Sequence, residues 1–165
     1  MKLKKTAWAL LLLMFAFSLG SCSNDDAYLP PNPDVVNELY RLYPNAQDVE
    51  WNQKGVYYVA DCNSLGVELD VWIDANANWI QTETALYREN LPASVNTAFA
   101  QGDYGSWVID EITQLTFPAN PTLFVIEVEQ GSQEVMLFYS EYGGLLHVKN
   151  VTNGDDTLWP DMNLE

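Results

Sequence analysis

The stretch that constrains this chain most is one it contains twice. Residues 56–83 align with residues 122–149 without a gap, at a shift of 66 positions. VYYVADC falls on TLFVIEV, and VELDVWIDANANWIQ falls on QEVMLFYSEYGGLLH. Both copies alternate apolar and polar residues with the period of a strand, and both break in the middle at turn-forming residues. In the second copy that break is Gly143-Gly144, which between two apolar runs signals a hairpin. Any fold for this chain must therefore place two similar hairpins in similar surroundings.

The repeat also decides how the first hairpin is read. In WIDANANWI, Asp74, Asn76 and Asn78 stand on alternate positions, as oxygen ligands do at the start of an EF-hand loop. The glycine and glutamate such a loop needs later are replaced by Trp79 and Ala85. The second copy puts Ser140, Tyr142 and Gly144 at the same places, which is no ligand set. The segment is expected to turn the chain, and no metal or cofactor is expected.

A helix is expected ahead of each hairpin block. In DVVNELYRLY, Asp34 is placed to cap, and Val36, Leu39, Tyr40 and Tyr43 share a face before Pro44. In LPASVNTAFAQG, Pro92 suits the first turn, Val95, Ala98 and Phe99 share a face, and Gly102 stops the helix. Short strands follow at 48–51 and 106–112, the second before a longer loop, QLTFPAN. The expectation is an α+β fold in two layers: two tandem units of one helix and four antiparallel strands, forming one continuous sheet with both helices on one face. Repeat 1 covers about 34–86 and repeat 2 about 87–150. The tail, 151–165, has no assigned role.

Strand alternation divides the side chains between the two faces. Tyr58, Ala60, Cys62, Val67, Leu69, Val71 and Ile73, with Phe124, Ile126, Val128, Val135, Leu137 and Tyr139, are expected under the helices. The opposite face collects Tyr57, Val59, Asp61, Glu68, Asp70, Trp72 and Trp79, and in the second copy Leu123, Val125, Glu127, Glu129, Glu134, Met136, Phe138, Leu145 and His147. Large aromatics mixed with acids suggest a contact surface, and Tyr57, Asp70, Trp72, Trp79, Glu134, Phe138 and His147 are the candidate partner-binding residues. Two plainer explanations stand beside this one. Cross-strand aromatic pairs stabilise sheets without binding anything, and the tail could lie over the patch.

The N-terminus carries Lys2, Lys4 and Lys5, an apolar run over 7–17, and then LGSC. The run is too short to span a membrane comfortably. LGSC resembles a bacterial lipobox, with residues 1–21 as a lipoprotein signal peptide and Cys22 as the lipidated residue. The Ser-Asn-Asp-Asp that follows resembles a surface-export signal of Bacteroidetes lipoproteins. Residues 22–33 read as a flexible tether. Removing the signal leaves four basic residues against 23 acidic ones, a formal charge of −19. Such a chain repels nucleic acid and touches a membrane only through its anchor. With Cys22 lipidated, Cys62 has no disulfide partner and reads as a small buried hydrophobe.

The order YPNAQDVEW, GVYYVAD, VELDVWIDANANW, LPASV and then IEVEQGSQEVMLFYSEYGGLL resembles the PepSY-like, beta-lactamase-inhibitor-like lipoproteins of gut Bacteroidetes, over nearly all of 34–150. Asn78 stands where members of that family often carry glycine. The resemblance implies a beta-lactamase-inhibitor-like fold and a cell-envelope location, outer-membrane anchored and either periplasmic or surface-exposed. It does not imply inhibition of a beta-lactamase, since fold does not give function. With one histidine and no Ser-His-Asp order, zinc cluster or phosphate loop, no catalysis is expected. The expected function is a lipid-anchored envelope binding protein, inhibitor-like in using its sheet face, with a basic envelope or secreted protein as partner. The alternative is a surface glycan-binding lipoprotein whose indoles stack on sugar rings.

Overall fold

The computed structural model describes residues 30–160. The expected signal peptide, the lipidated Cys22 and most of the tether lie outside the described residues. Helix α1 runs Pro33–Leu42, followed by β1 (Ala46–Lys54), β2 (Tyr57–Ser64), β3 (Val67–Asp74) and β4 (Trp79–Ala85). After a single 3₁₀ turn at Arg88–Asn90 come α2 (Ala93–Gln101), β5 (Val108–Thr116), β6 (Leu123–Gln130), β7 (Gln133–Ser140) and β8 (Leu145–Asn150). The eight strands form one antiparallel sheet in sequence order. Consecutive neighbours are the arrangement that short connections favour.

Local chemistry explains the helix ends. Asn32, rather than Asp34, caps α1: its Oδ1 accepts from the N–H of Asp34 at 2.9 Å and of Val35 at 3.1 Å. Pro33 fills the first turn, where no N–H is needed. The buried face also differs from the expected one, with Val35 in place of Val36. Val35 and Leu39 are buried, Leu42 and Tyr43 are partly buried against the same cluster, and Tyr40 is exposed. Two adjacent valines made either face possible from spacing alone. Helix α2 follows expectation, with Pro92 at its start, Val95 and Phe99 buried and Gly102 at its end.

Both helices lie on one side of the sheet. Beneath α1, Val35 and Leu39 pack on Ala60, Cys62, Leu69, Val71 and Ile73. Beneath α2, Val95 and Phe99 pack on Ile112, Phe124, Ile126, Val128, Val135, Leu137 and Tyr139. The ladder registers put both sets on the same face: Ala60 pairs with Val71, Leu69 with Thr84, Thr84 with Gln114, Gln114 with Phe124, and Phe124 with Tyr139. Each large apolar side chain buried this way contributes about 1.5–3 kcal/mol. Cys62 is buried here, and desolvation, then Asp61 and Asp70, push its thiol up to about 11, which disfavours the thiolate.

Each hairpin carries a bulge just after its turn. Trp72 pairs with Gln81 but Ile73 pairs with Trp79, leaving Ile80 extra. Phe138 pairs with His147 but Tyr139 pairs with Leu145, leaving Leu146 extra. An extra residue swaps the faces on either side of it. Trp79 and Leu145 therefore belong to the helix side, against expectation. The Trp79 indole packs on the cluster beneath α1, and its Nε1 donates to Thr82 Oγ1 at 3.0 Å. At the middle of the sheet, β4 and β5 pair only over Thr82–Ala85 and Thr113–Thr116, a shorter ladder than those of β2–β3 or β6–β7.

Candidate functional site

The face opposite the helices is not open, because the tail lies across it. After β8, Val151 and Leu158 enter an apolar cluster with Leu115, Leu123, Val125, Met136 and Phe138. The tail is clamped first at β7. The Val151 N–H donates to the Glu134 carbonyl at 3.0 Å, and the Thr152 hydroxyl accepts from the Glu134 N–H at 2.9 Å. Further along, Lys149 Nζ donates to the Thr157 carbonyl at 3.1 Å, and buried Gln81 Nε2 donates to the Leu158 carbonyl at 2.6 Å. Trp159 then reaches the first half of the sheet. It meets Trp72 edge-on at 5.8 Å between centroids.

This covering changes the standing of the expected residues. Trp72 is fully buried, held edge-on between Trp159 and Tyr57, with Lys54 Nζ 5.3 Å from its ring centre. Phe138 is fully buried under the tail and meets His147 edge-on at 5.7 Å. Tyr57, Asp70, Trp72, Glu134, Phe138 and His147 do share this face by register. Trp79 does not. Glu134 contributes its backbone to the clamp. Neither indole offers a flat exposed platform.

Two of the concavities that remain are acidic. A cavity of about 190 Å³ lies between tail and sheet, lined by Lys54, Asp70, Glu83, Glu111, Glu127 and Asp156, with Val125, Met136 and Leu158 as apolar walls. A second, of about 170 Å³, continues from it past Asp61, Glu68, Asp70, Glu83 and Glu111. Confinement shows in the proton affinities. Burial, then the charge of Asp70, pushes Glu83 up to about 7, with Lys54, the Trp72 indole and Gln81 opposing. Burial, then Glu134, Glu111 and Asp156, pushes Glu127 up to about 7. Burial raises Asp70 as well, with Lys54 pulling it down and Asp61 and Glu111 adding to the rise. The Trp72 Nε1 is buried with no partner at hydrogen-bond distance, yet it stands close enough to Glu83 to favour that carboxylate's charge.

Sequence reasoning missed Gln81, Glu83, Glu111 and the tail residues Leu158 and Trp159, whereas strand alternation does place Glu127 on this face. Gln81 and Glu83 are on this face because of the bulge at Ile80, which strict alternation does not anticipate. Among the described residues, no group of three or more acidic, histidine or cysteine side chains is arranged to hold a metal ion. The Asp74 carboxylate is occupied by its own turn. Its Oδ1 accepts from the N–H of Asn76 and of Asn78, each at 2.8 Å, and its Oδ2 accepts from Asn78 Nδ2 at 2.8 Å.

An eight-stranded antiparallel sheet with two helices on one face is the architecture of the beta-lactamase-inhibitor-like, or BLIP-like, proteins. The chain belongs to the PepSY-like family, described as beta-lactamase-inhibitor-like, whose model matches residues 56–147. It is similar to a BLIP-like protein of Bacteroides fragilis, at 54% identity and a TM-score of 0.78, over 85% of this chain and 100% of that one. A DUF2874 family protein of Bacteroides ovatus is 33% identical, with a TM-score of 0.77, over 81% of this chain and 96% of that one. A Bacteroides eggerthii protein whose name places it in the periplasm is 28% identical, with a TM-score of 0.75, over 78% of this chain and 95% of that one. Among curated proteins, none matches the chain. No helix among the described residues is long and apolar enough to cross a membrane.

Proposed function

We propose that this chain is a non-enzymatic binding protein of the cell envelope, held there by lipid on Cys22, which receives a basic segment of an envelope or secreted protein on the face opposite its helices. The observation that carries this reading is the acidic groove: Asp61, Glu68, Asp70, Glu83, Glu111 and Glu127 line two adjoining cavities in which Lys54 is the one cation. Carboxylates crowded under partial burial repel one another, and a ligand's lysine or arginine relieves that repulsion. The apolar walls would take the stems of those side chains. The name of the periplasmic relative and the LGSC sequence around Cys22 support the location.

We also infer that the two halves are copies of one helix-plus-four-strand unit. Support comes from the bulges at Ile80 and Leu146, which stand at the same 66-residue shift as the sequence match. The sugar-binding alternative loses the two indoles it was built on, because Trp72 is covered and Trp79 lies on the helix side.

Capture from an envelope extract tests the binding reading. Retention of a basic protein should fall about fivefold or more between roughly 0.05 and 0.5 M salt. It should fall similarly with Asp70→Asn combined with Glu111→Gln. Capture indifferent to both salt and these substitutions would refute the site. Metabolic labelling with palmitate, lost on Cys22→Ala, tests the anchor.

A further inference from the structure

We propose that residues 151–160 are an internal stand-in for a ligand: the trough they fill is a peptide-binding groove, and its preferred occupant is an extended segment with a bulky apolar pair and, two positions before it, a lysine or arginine where this chain has Asp156. This rests on the reading of the face as a site for a basic segment, and it names the segment's form.

The tail sits on the sheet as a bound peptide would. Beyond the clamp at Glu134, residues 153–160 join no strand ladder. They are held by side chains reaching out from the sheet. Gln81 donates to the Leu158 carbonyl, Leu158 fills an apolar hole, and Trp159 lies against Trp72. A main-chain contact plus alternate side-chain pockets is how sheets recognise extended segments. Room for the Trp159 ring is kept by Gly55, where a Cβ would stand 3.3 Å from Cζ3.

The occupant is well matched in shape and mismatched in charge at one position. Asp155 works within the tail: it accepts from Trp159 Nε1 at 2.6 Å and from the Thr157 N–H at 2.9 Å. Asp156 makes no such bond. It lines the cavity that already holds Asp70, Glu83, Glu111 and Glu127, and its charge adds to the repulsion on Glu127. A tail selected only to seal the face would be better served there by a cation. A weak internal occupant that a cationic segment outcompetes fits both the shape and the charge. Tethering compensates for the mismatch, because the tail is present at high effective concentration.

The test uses two labelled peptides of residues 152–160, one unaltered and one carrying Asp156→Lys. Each is titrated against the unaltered chain and against a chain with Leu158→Ala and Trp159→Ala, which loosens the tail. The Asp156→Lys peptide should bind the loosened chain about tenfold tighter than the unaltered peptide does, and about tenfold tighter than it binds the unaltered chain. Equal affinities for the two peptides, or for the two chains, overturn the proposal. Should the loosened chain fail to fold, Asp156→Lys in the full chain decides: amide exchange at Leu158 and Trp159 should slow about tenfold, and unchanged or faster exchange overturns it. An oligolysine peptide without the apolar pair separates the two readings. If it binds both chains alike in a salt-dependent way, only the stand-in falls. If it binds neither, the acidic-face reading falls too.

Discussion

The two hairpin turns, Asp74–Asn78 and Ser140–Gly144, make the same bonds with different chemistry. In the first, the Asp74 N–H donates to the Asn78 carbonyl and the Ala77 N–H to the Asp74 carbonyl. In the second, Ser140 and Gly144, then Gly143 and Ser140, repeat both bonds. Each turn is also tied to a helix start: Asn32 Nδ2 donates to the Ala75 carbonyl at 3.1 Å, and Ser94 Oγ donates to the Glu141 carbonyl at 2.6 Å. The difference is in who holds the left-handed position. Ala77 stands there at φ 62°, supported by the three bonds Asp74 accepts, whereas Gly143 stands there at φ 86° with Ser140 Oγ accepting one. One turn is held by a carboxylate cage and the other by a residue that has no side chain to strain. The same backbone shape can thus be reached by adding bonds or by removing a Cβ.

Breaking that equivalence should be most costly at Gly143. A Cβ there would stand 2.7 Å from the Ser94 carbonyl oxygen at a left-handed φ. Gly143→Ala is expected to destabilise the chain by roughly 2–4 kcal/mol in chemical denaturation. A loss below about 1 kcal/mol would mean that the turn does not press on α2.

On the face opposite the helices the two halves share one acidic cavity, with Asp70 and Glu83 from the first and Glu111 and Glu127 from the second, and pH reports on it. Glu83 and Glu127, pushed up to about 7 from 4.5, hold protons in the fold that an unfolded chain has released. The stability they lend is complete below about 4.5 and lost as pH rises through about 7. Raising pH from about 5 to about 8 should therefore lower stability, by on the order of 2 kcal/mol. Glu83→Gln should remove about half of that slope, because Glu127 carries a like shift. A stability that rises over this window would contradict the burial assigned to these groups.

Smaller effects sharpen the turn comparison. Asp74→Ala removes an acceptor of three bonds and should cost about 1–2 kcal/mol, against about 0.5 kcal/mol for Ser140→Ala. The Asp74 cost should shrink in acid. Burial alone would raise that carboxyl, but the bonds from Asn78 and Asn76 hold it below the usual range, so the term is present above the ordinary carboxylate range and lost as pH falls through it. Smallest is Ala77→Gly, expected to gain no more than about 0.5 kcal/mol, since relief of the left-handed backbone is offset by unfolded-chain entropy.

How much of this was legible in the sequence follows from what leaves a periodic trace. The hairpins, the helices and the sheet class were readable because alternation and turn residues recur at fixed spacing. The cap on α1 was misplaced because Asn32 sits outside the apolar pattern, and Val35 and Val36 fit a buried face equally well. Trp79 was put on the wrong side because a bulge adds a residue without changing the apolar–polar rhythm on either side of it. The sequence did raise the tail as a possible cover, but nothing periodic distinguishes Leu158-Trp159 from an acidic loop. Its docking depends on Gln81, 77 positions away.

The short ladder between β4 and β5 has a mechanical consequence. It is a natural crease, along which the two halves could flex while each kept its own core. The tail starts beyond β8 and is gripped by Gln81 on β4, so it acts as a stitch across that crease. The curvature of the whole sheet then depends on whether Gln81 and Trp72 keep their hold on Leu158 and Trp159.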